Sequence, residues 1–229
     1  YNVFTLTMNR SALSSKFKKA KIFCAFIQEG RSKKAGVTQE GSYVCAASAG
    51  TKFGTHGCEV WISRSIPISE HSSVKVSQDD LSIIDHNPRI IVVRLVTSCF
   101  SVVLVSAHAP YVTTPDTIPQ AMKWHSEFVA RINEYHSKYS IVIVGIDGNF
   151  TLSQYGDMPT QFGTAFSGNP SKHEQFVKEV YARSELRFFT TLKENCRPVF
   201  YKDPYTYHVK TGTHVTTNDY MMAPHAGVS

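Results

Sequence analysis

Short apolar runs rich in β-branched residues recur from one end of the chain to the other, and each is followed by turn-forming or polar residues. Runs of this kind predict strands in mostly antiparallel sheets. The expected strands cover residues 23–28, 43–47, 60–63, 89–96, 100–107, 141–147 and 219–222. Because the runs at 90–93 and 141–144 are apolar at every position, we expect both to be central strands covered on two faces.

Fewer segments have helical periodicity. Residues 118–138 place an apolar stripe that includes Phe128 and Ile132 at helical spacing, and residues 11–21 form a short basic helix. A third helix is expected at 171–183, where Ser171 precedes Glu174 at the spacing of a capping box. No linker or internal repeat divides the chain. We therefore expect one α+β domain over residues 1–229, with two mostly antiparallel sheets packed face to face and helices outside.

Composition excludes several classes of protein. No apolar run approaches the roughly 20 residues that a membrane-spanning helix needs. The five cysteines are widely separated, which predicts free thiols in a reducing, intracellular compartment rather than a zinc site or a disulfide framework. A formal net charge of +6 favours a polyanionic partner without identifying it.

Polar and acidic residues follow several of the expected strands directly. Glu29 follows the run 23–28, and His108 follows the run 100–107. Asp147 and Asn149 stand at the end of the apolar run that begins at residue 141. If these strand ends share one edge, they form an oxygen-rich pocket suited to Mg²⁺, which is usually held by one or two carboxylates together with substrate phosphate. Such an ion can stabilise charge developing on a leaving group. This arrangement predicts phosphodiester or phosphomonoester chemistry.

Each of these residues also fits a structural role. Glu29 can be a solvated carboxylate and His108 a hydrogen-bonded loop histidine. Asp147 and Asn149 flank a glycine, and all three are turn-forming residue types. The order of the whole series is what favours a catalytic interpretation.

Several motifs together resemble the endonuclease/exonuclease/phosphatase superfamily. This superfamily includes deoxyribonuclease I, the apurinic endonucleases and the endonuclease domains of non-LTR (LINE-type) retrotransposons. The motifs lie, in the family's order, at residues 2–3, 27–29, 106–110, 147–149 and 218–220. Segments 28–32, 57–62 and 106–110 look most like endonuclease domains that are joined to reverse transcriptases. The resemblance extends from residue 2 to about 222.

The resemblance implies a deoxyribonuclease I-like, four-layered α/β sandwich and hydrolysis that depends on a divalent metal, Mg²⁺ with Mn²⁺ as a possible substitute. By motif matching, Glu29 is the metal ligand and Asn2 supports it. Asp147 orients or activates the attacking water, and Asn149 binds the scissile phosphate. These roles are expectations taken from the family.

Two further residues receive roles by the same matching. His108 occupies a position where relatives have a phosphate-contacting histidine or tyrosine, and Asp219 matches the aspartate that orients the family's catalytic histidine. The Ser-Asp-His motif that carries this histidine is not found after Asp219, and His225 is not taken as its substitute. We therefore expect the domain to be clipped at both ends and its activity impaired. His56, like His208 and His214, is interpreted as a loop histidine without ligand spacing.

The leading hypothesis is a Mg²⁺-dependent, DNA-nicking endonuclease domain of a retrotransposon-type polyprotein. It would act as a nuclear monomer beside a fused reverse transcriptase, and Arg31, Lys33 and Lys34 would contact DNA phosphates. One alternative is a phosphatase or phospholipase of the same superfamily. Another is a non-catalytic remnant that only binds nucleic acid.

Overall fold

The computed structural model describes residues 10–68, 73–150, 173–184, 186–188, 207–208, 215–216 and 219–224. The chain divides into two compact units, Tyr1–His108 and Ala109–Ser229, and each is described by itself. Helices accompany mostly antiparallel sheets, so the α+β class expected from the sequence is confirmed. Among the described residues, no helix has both the length and the apolar character needed to cross a bilayer. The single domain over residues 1–229 stays a prediction.

The first unit contains helix α1 (Arg10–Lys19) and two antiparallel groups of strands. One sheet has the order β1-β4-β3-β2. Its strands are β1 (Cys24–Gln28), β2 (Gly36–Glu40), β3 (Tyr43–Ala47) and β4 (Cys58–Ser63). The other group contains β5 (Leu81–Asn87), β6 (Ile90–Val96) and β7 (Ser101–His108), with β6 between its two neighbours.

The two faces of the β1–β4 sheet are covered differently. Helix α1 covers one face, where Phe17 packs edge-on against Trp61 with ring centroids 6.0 Å apart. On the other face, β1 and β4 contact β7. The four residues from Ile90 to Val93 are all buried, which confirms β6 as a strand covered on both faces. This is the face-to-face arrangement of sheets that the sequence predicted.

The second unit opens with a short 3₁₀ helix (Pro115–Thr117) that leads into α2 (Ile118–Lys138). Helix α2 packs against β8 (Val142–Asp147) and against α3 (Glu174–Ala182). Strand β12 (Asp219–Pro224) pairs antiparallel with β8 and also with β9 (Leu186–Phe188). Strands β10 (Tyr207–His208) and β11 (Val215–Thr216) form a separate antiparallel pair.

The structure departs from the sequence predictions at a few element ends. Helix α3 begins at Glu174 with His173 as its N-cap, so Glu174 lies at the start of the first turn and the predicted capping box is wrong. Ser171 itself lies outside the described residues. Ile141 precedes β8 and is 47% exposed, so the covered strand is shorter than the apolar run.

Candidate active site around Glu29

The ends of two strands in the first unit are tied together by a buried serine. Ser106 in β7 donates its hydroxyl to the carbonyl of Ile27 in β1 (3.0 Å). It also accepts a hydrogen bond from the side chain of Gln28 (3.2 Å). Because β1 ends at Gln28 and β7 ends at His108, this link brings Glu29 and His108 to the same edge.

Backbone hydrogen bonds between the segment after β1 and the segment before β4 continue the pairing of these two strands. The Gly30 amide donates to the carbonyl of Gly57 (3.0 Å), and the Arg31 amide donates to the carbonyl of His56 (2.9 Å). This continuation follows from the register, in which Gln28 lies opposite Cys58. His56 is therefore held across from the segment that carries Glu29.

The turn between β5 and β6 joins the same network. The Gly57 amide donates to the carbonyl of Pro88 (2.8 Å), and the His108 amide donates to the carbonyl of Arg89 (2.8 Å). The Arg89 guanidinium donates from Nη1 to the carbonyl of His108 (3.2 Å). Backbone bonds thus fix four short segments around one carboxylate. We call Glu29, Arg31, His56, Arg89 and His108 the Glu29 cluster.

Nitrogen atoms surround both carboxylate oxygens of Glu29. Oε1 lies 3.4 Å from Nδ1 of His56 and 3.3 Å from Nδ1 of His108. Oε2 accepts hydrogen bonds from Nε (3.3 Å) and Nη2 (3.2 Å) of Arg31. Burial alone would raise the pKa of Glu29, but His108, Arg31 and His56 outweigh it and lower that pKa below its ordinary value. Glu29 is therefore an anion at neutral pH.

Three residues of this cluster have left-handed backbone conformations that L-residues rarely adopt. The φ angles are 60° at Glu29, 55° at Arg31 and 62° at His56. A conformation of this kind costs of order 1 kcal/mol or more and persists only where surrounding contacts impose it. Gly57 has a φ of 94°, and a Cβ there would lie 2.8 Å from the Arg31 amide nitrogen. Strained backbone concentrates here, as it does at many functional sites.

The Glu29 cluster offers ligand atoms for a metal ion. One atom each from Glu29, His56 and His108 lies within 4.8 Å of the others, the one such group found among the described residues. Two imidazoles with one carboxylate suit ions that accept nitrogen, such as Mn²⁺ or Zn²⁺, whereas Mg²⁺ prefers oxygen. The expectation that His56 is merely a loop histidine without ligand spacing is wrong in this respect, because cross-strand register brings it to Glu29.

A second carboxylate, that of Glu59, is fully buried and binds the loop that follows Glu29. Glu59 in β4 is 0% exposed and accepts hydrogen bonds from Arg10 (2.9 Å) and Ser32 (2.7 Å) at Oε1. Its Oε2 accepts from Nε1 of Trp61 (2.7 Å). A Cβ on Gly30 would lie 2.5 Å from Glu59 Oε1, so only glycine fits there. Glu59 thus fixes the segment that follows Glu29.

Asp147 and Asn149 form a tight turn in the second unit. The Asn149 amide donates to Oδ1 of Asp147 (3.1 Å), and the Asn149 side chain donates to the carbonyl of Ala109 (2.7 Å). The Ala109 amide in turn donates to the carbonyl of Asp147 (2.8 Å). Asn149 has a φ of 49°, and a Cβ on Gly148 would lie 2.5 Å from the Phe150 ring. This turn therefore requires its glycine and orients both polar side chains.

The other residues expected at the site are placed as follows. The backbone of Asp219 lies directly opposite Asp147 in the β12–β8 register. Asn2 lies outside the described residues. Lys33 and Lys34 are exposed just beyond Arg31. The structure thus groups Glu29 with His108 in the first unit and Asp147 with Asn149 and the Asp219 backbone in the second. Sequence reasoning missed His56, Arg89 and Glu59.

Solved structures with this fold extend over nearly the whole chain. The endonuclease domain of TRAS1, a telomere-specific non-LTR retrotransposon, is 16% identical with a TM-score of 0.57, covering 97% of this chain and 83% of its own. The Xenopus laevis APE2 catalytic domain is 12% identical with a TM-score of 0.64, and the respective coverages are 97% and 80%. The Neisseria 3′ phosphatase NExo, solved with product DNA hairpin, is 14% identical with a TM-score of 0.61, and the coverages are 97% and 84%.

These structures are members of the endonuclease/exonuclease/phosphatase superfamily, so the chain has the deoxyribonuclease I-like fold that the sequence motifs implied. No protein-family model matches the chain, and no curated protein matches it. At these identities the likeness concerns the fold.

Proposed function

We propose that this chain is a DNA-nicking endonuclease domain that hydrolyses phosphodiester bonds with a divalent cation bound at Glu29. The observation that carries the proposal is the Glu29 carboxylate, ionised and partly accessible at a strand end, among the positive and neutral nitrogens of its cluster. The fold is one in which solved neighbours include a retrotransposon endonuclease domain and a 3′ phosphatase. Both of these neighbours are named for reactions of phosphate esters.

The charge balance of the Glu29 cluster suits a phosphate ester. Arg31 and Arg89 each carry a fixed positive charge against the single carboxylate, so the cluster attracts an anion even before a cation binds. Glu29 would hold the cation, and His108 would contact phosphate. A bound cation would polarise a phosphoryl oxygen and offset charge on the leaving group. Arg31, Lys33 and Lys34 would hold neighbouring backbone phosphates.

The turn at Asp147 carries two residues to which motif matching also gives roles in the reaction. Asp147 is a buried carboxylate whose Oδ1 already accepts one amide, a contact that fixes its direction and suits it to orient a water nucleophile. Asn149 is a neutral donor that can bind a phosphate oxygen without adding negative charge. Asp219 and Asn2 keep the roles that motif matching implies. Mg²⁺, with Mn²⁺ as its substitute, is the proposed ion when the Glu29 carboxylate and the oxygens of the phosphate ester supply the ligands and the imidazoles do not.

A plasmid assay tests this function. We expect supercoiled DNA to become nicked circles with Mg²⁺ or Mn²⁺ and not with excess EDTA, even if the turnover is slow. Glu29→Gln and Asp147→Asn should each lower the nicking rate by about 100-fold or more. Glu127→Gln, at an exposed position of α2, is the matched control and should leave the rate unchanged. DNA binding without nicking under any ion would contradict the proposal and favour a non-catalytic binding module.

The chemistry of the ends separates an endonuclease from a phosphatase, the alternative that the NExo neighbour favours. A nick that leaves a 3′-hydroxyl can be extended directly by a DNA polymerase, as a fused reverse transcriptase would require. A phosphatase would instead release inorganic phosphate from a 3′-phosphorylated hairpin while leaving plasmid intact. The polyprotein context, a nuclear location and a monomeric state belong to this proposal and are tested by full-length sequence, localisation and light scattering.

A further inference from the structure

Arg89 is fixed from several directions beside the Glu29 cluster. Its amide donates to Oδ1 of Asn87 (2.8 Å), and its carbonyl accepts from the His108 amide (2.8 Å). Its Nη1 donates to the His108 carbonyl (3.2 Å), while Nη2 lies 3.2 Å from Nε2 of His56. The guanidinium is therefore held against His56 by contacts that do not depend on His56 itself.

A guanidinium fixes the proton on the imidazole that it faces. Arginine has five N–H donors and no acceptor, so the nitrogen facing it must supply a lone pair. Nε2 of His56 is then unprotonated, and the neutral ring carries its proton on Nδ1. Nδ1 lies 3.4 Å from Oε1 of Glu29, a carboxylate oxygen that accepts hydrogen bonds. Arg89 thus donates a hydrogen bond to His56, and His56 donates one to Glu29.

We propose that Arg89 is a positioning residue that holds His56 in its Nδ1-protonated tautomer, so that His56 donates to Glu29 and orients this carboxylate. The inference rests on the proposed function of Glu29 as the metal ligand. It also separates two roles within the group of potential ligands. Glu29 remains the proposed metal ligand and His108 the proposed phosphate contact, whereas His56 acts as a donor to Glu29.

The alternative, in which His56 binds the ion through Nδ1, conflicts with Arg89. A metal-bound Nδ1 uses its lone pair, so the proton would move to Nε2 and point at a guanidinium N–H. Metal-binding histidines normally donate their second N–H to a carboxylate, carbonyl or water. Arg89 is itself a donor, so it cannot accept an N–H from Nε2 of His56. The left-handed backbone of His56, with its φ of 62°, keeps the ring in this place.

NMR of protein labelled with ¹⁵N-histidine tests the tautomer without requiring catalysis. Long-range ¹H–¹⁵N spectra distinguish a protonated Nδ1 from a protonated Nε2, and the cross-peaks lost in His56→Asn identify His56. We expect protonated Nδ1 in the wild type and in Arg89→Lys, because lysine also only donates. In Arg89→Glu the new carboxylate can only accept, so Nε2 should gain a proton while Nδ1 still donates to Glu29, and both ring nitrogens should be protonated. Protonated Nε2 in the wild type, or an unprotonated Nε2 in Arg89→Glu, would overturn the proposal.

Metal affinity tests the consequence for Glu29. Removing an orienting partner typically lowers metal affinity or activity by about 10–100-fold, and we expect Arg89→Gln to weaken Mn²⁺ binding within that range. His56→Asn keeps an N–H donor and tolerates a left-handed backbone, so its Mn²⁺ affinity should stay within about threefold of the wild type. Loss of Mn²⁺ binding in His56→Asn would identify His56 as a ligand and contradict the proposal.

A matched control and a separate readout keep the outcomes distinct. Arg94→Gln changes an arginine within β6, the strand that follows Arg89, where it donates to Ser101, and it should alter neither tautomer nor affinity. Where nicking is measurable, Arg89→Gln should lower kcat by about 10-fold or more, a larger factor than the rise in KM for DNA that follows from losing one positive charge. Absence of nicking in the wild type would count against the proposed function, while the tautomer spectra would still decide the role of Arg89.

Discussion

The buried carboxylate of Glu59 allows a sharp test of how the Glu29 segment is held. We consider Glu59→Gln, which keeps the shape and removes the charge. Oε2 must remain an oxygen, because the Trp61 indole that faces it can only donate. The new amide nitrogen therefore takes the place of Oε1, where it meets the Arg10 guanidinium and the Ser32 hydroxyl. The ion pair between Glu59 and Arg10 is lost, and the new amide N–H group faces the N–H donors of Arg10.

The size of the effect follows from burial. Removing one charge of a buried pair costs about 3–5 kcal/mol, since the other charge loses its partner. Glu59 is fully buried, but the Arg10 side chain is 19% exposed and recovers part of its hydration. We therefore expect Glu59→Gln to lower the free energy of unfolding of the first unit by about 3 kcal/mol, the lower end of this range.

Urea unfolding followed by tryptophan fluorescence measures this loss, because Trp61 lies in the core of that unit. With a slope of about 3 kcal/mol/M, the transition midpoint should fall by about 1 M. Glu40→Gln is the control, since Glu40 Oε2 lies 3.7 Å from Arg10 with 28% of its side chain exposed. That change should cost less than about 1 kcal/mol. Equal midpoints for Glu59→Gln and Glu40→Gln would refute the reasoning.

Three further predictions concern other parts of the molecule. Gly30→Ala places a Cβ 2.5 Å from the immobilised Glu59 carboxylate, so we expect a loss of about 1–3 kcal/mol in thermal unfolding; an unchanged melting temperature would show that the loop can yield. Burial, reinforced by His173, lowers the pKa of His125 to about 3, so the stability from keeping this ring neutral is complete above pH 6.5 and is lost as pH falls toward 3. Because of this ring, the free energy of unfolding should therefore be about 2 kcal/mol lower at pH 5 than at pH 7, and His125→Gln should reduce that difference. Lys33→Gln with Lys34→Gln should reduce the salt slope of DNA binding by about 0.9 per contact, whereas Lys123→Gln on α2 should not; equal slopes would argue against a phosphate role.

The sequence predicted those elements whose residue pattern reflects their burial. Helix α2 has the predicted bounds because one face buries residues such as Phe128 and Ile132 at helical spacing. Strand β2 (Gly36–Glu40) was missed because its half-exposed sequence is largely polar. Strand β5 was missed as well, because Leu81 is its one buried residue and its second half, Asp85 to Asn87, is polar. Local pattern records burial and says little about strands that are mostly exposed.

The sequence predicted the site residues that directly follow a strand, and it missed those that reach the site through pairing between distant strands. Glu29 and His108 stand at strand ends, so their positions were visible in the sequence. His56 reaches Glu29 only because β1 pairs with β4, a long-range register that no local pattern contains. Arg89 depends in the same way on the turn between β5 and β6. The signal that could have found His56 was its position just before the strand that pairs with β1.

The central claim, that Glu29 holds a divalent cation, is tested most directly by titrating Mn²⁺ into wild-type protein and Glu29→Gln and recording free Mn²⁺ by electron paramagnetic resonance. We expect one Mn²⁺ site in the wild type and an affinity reduced by more than about 10-fold in Glu29→Gln, because a ligand matters more than its orienting partners. Equal Mn²⁺ affinity in the two proteins would contradict it.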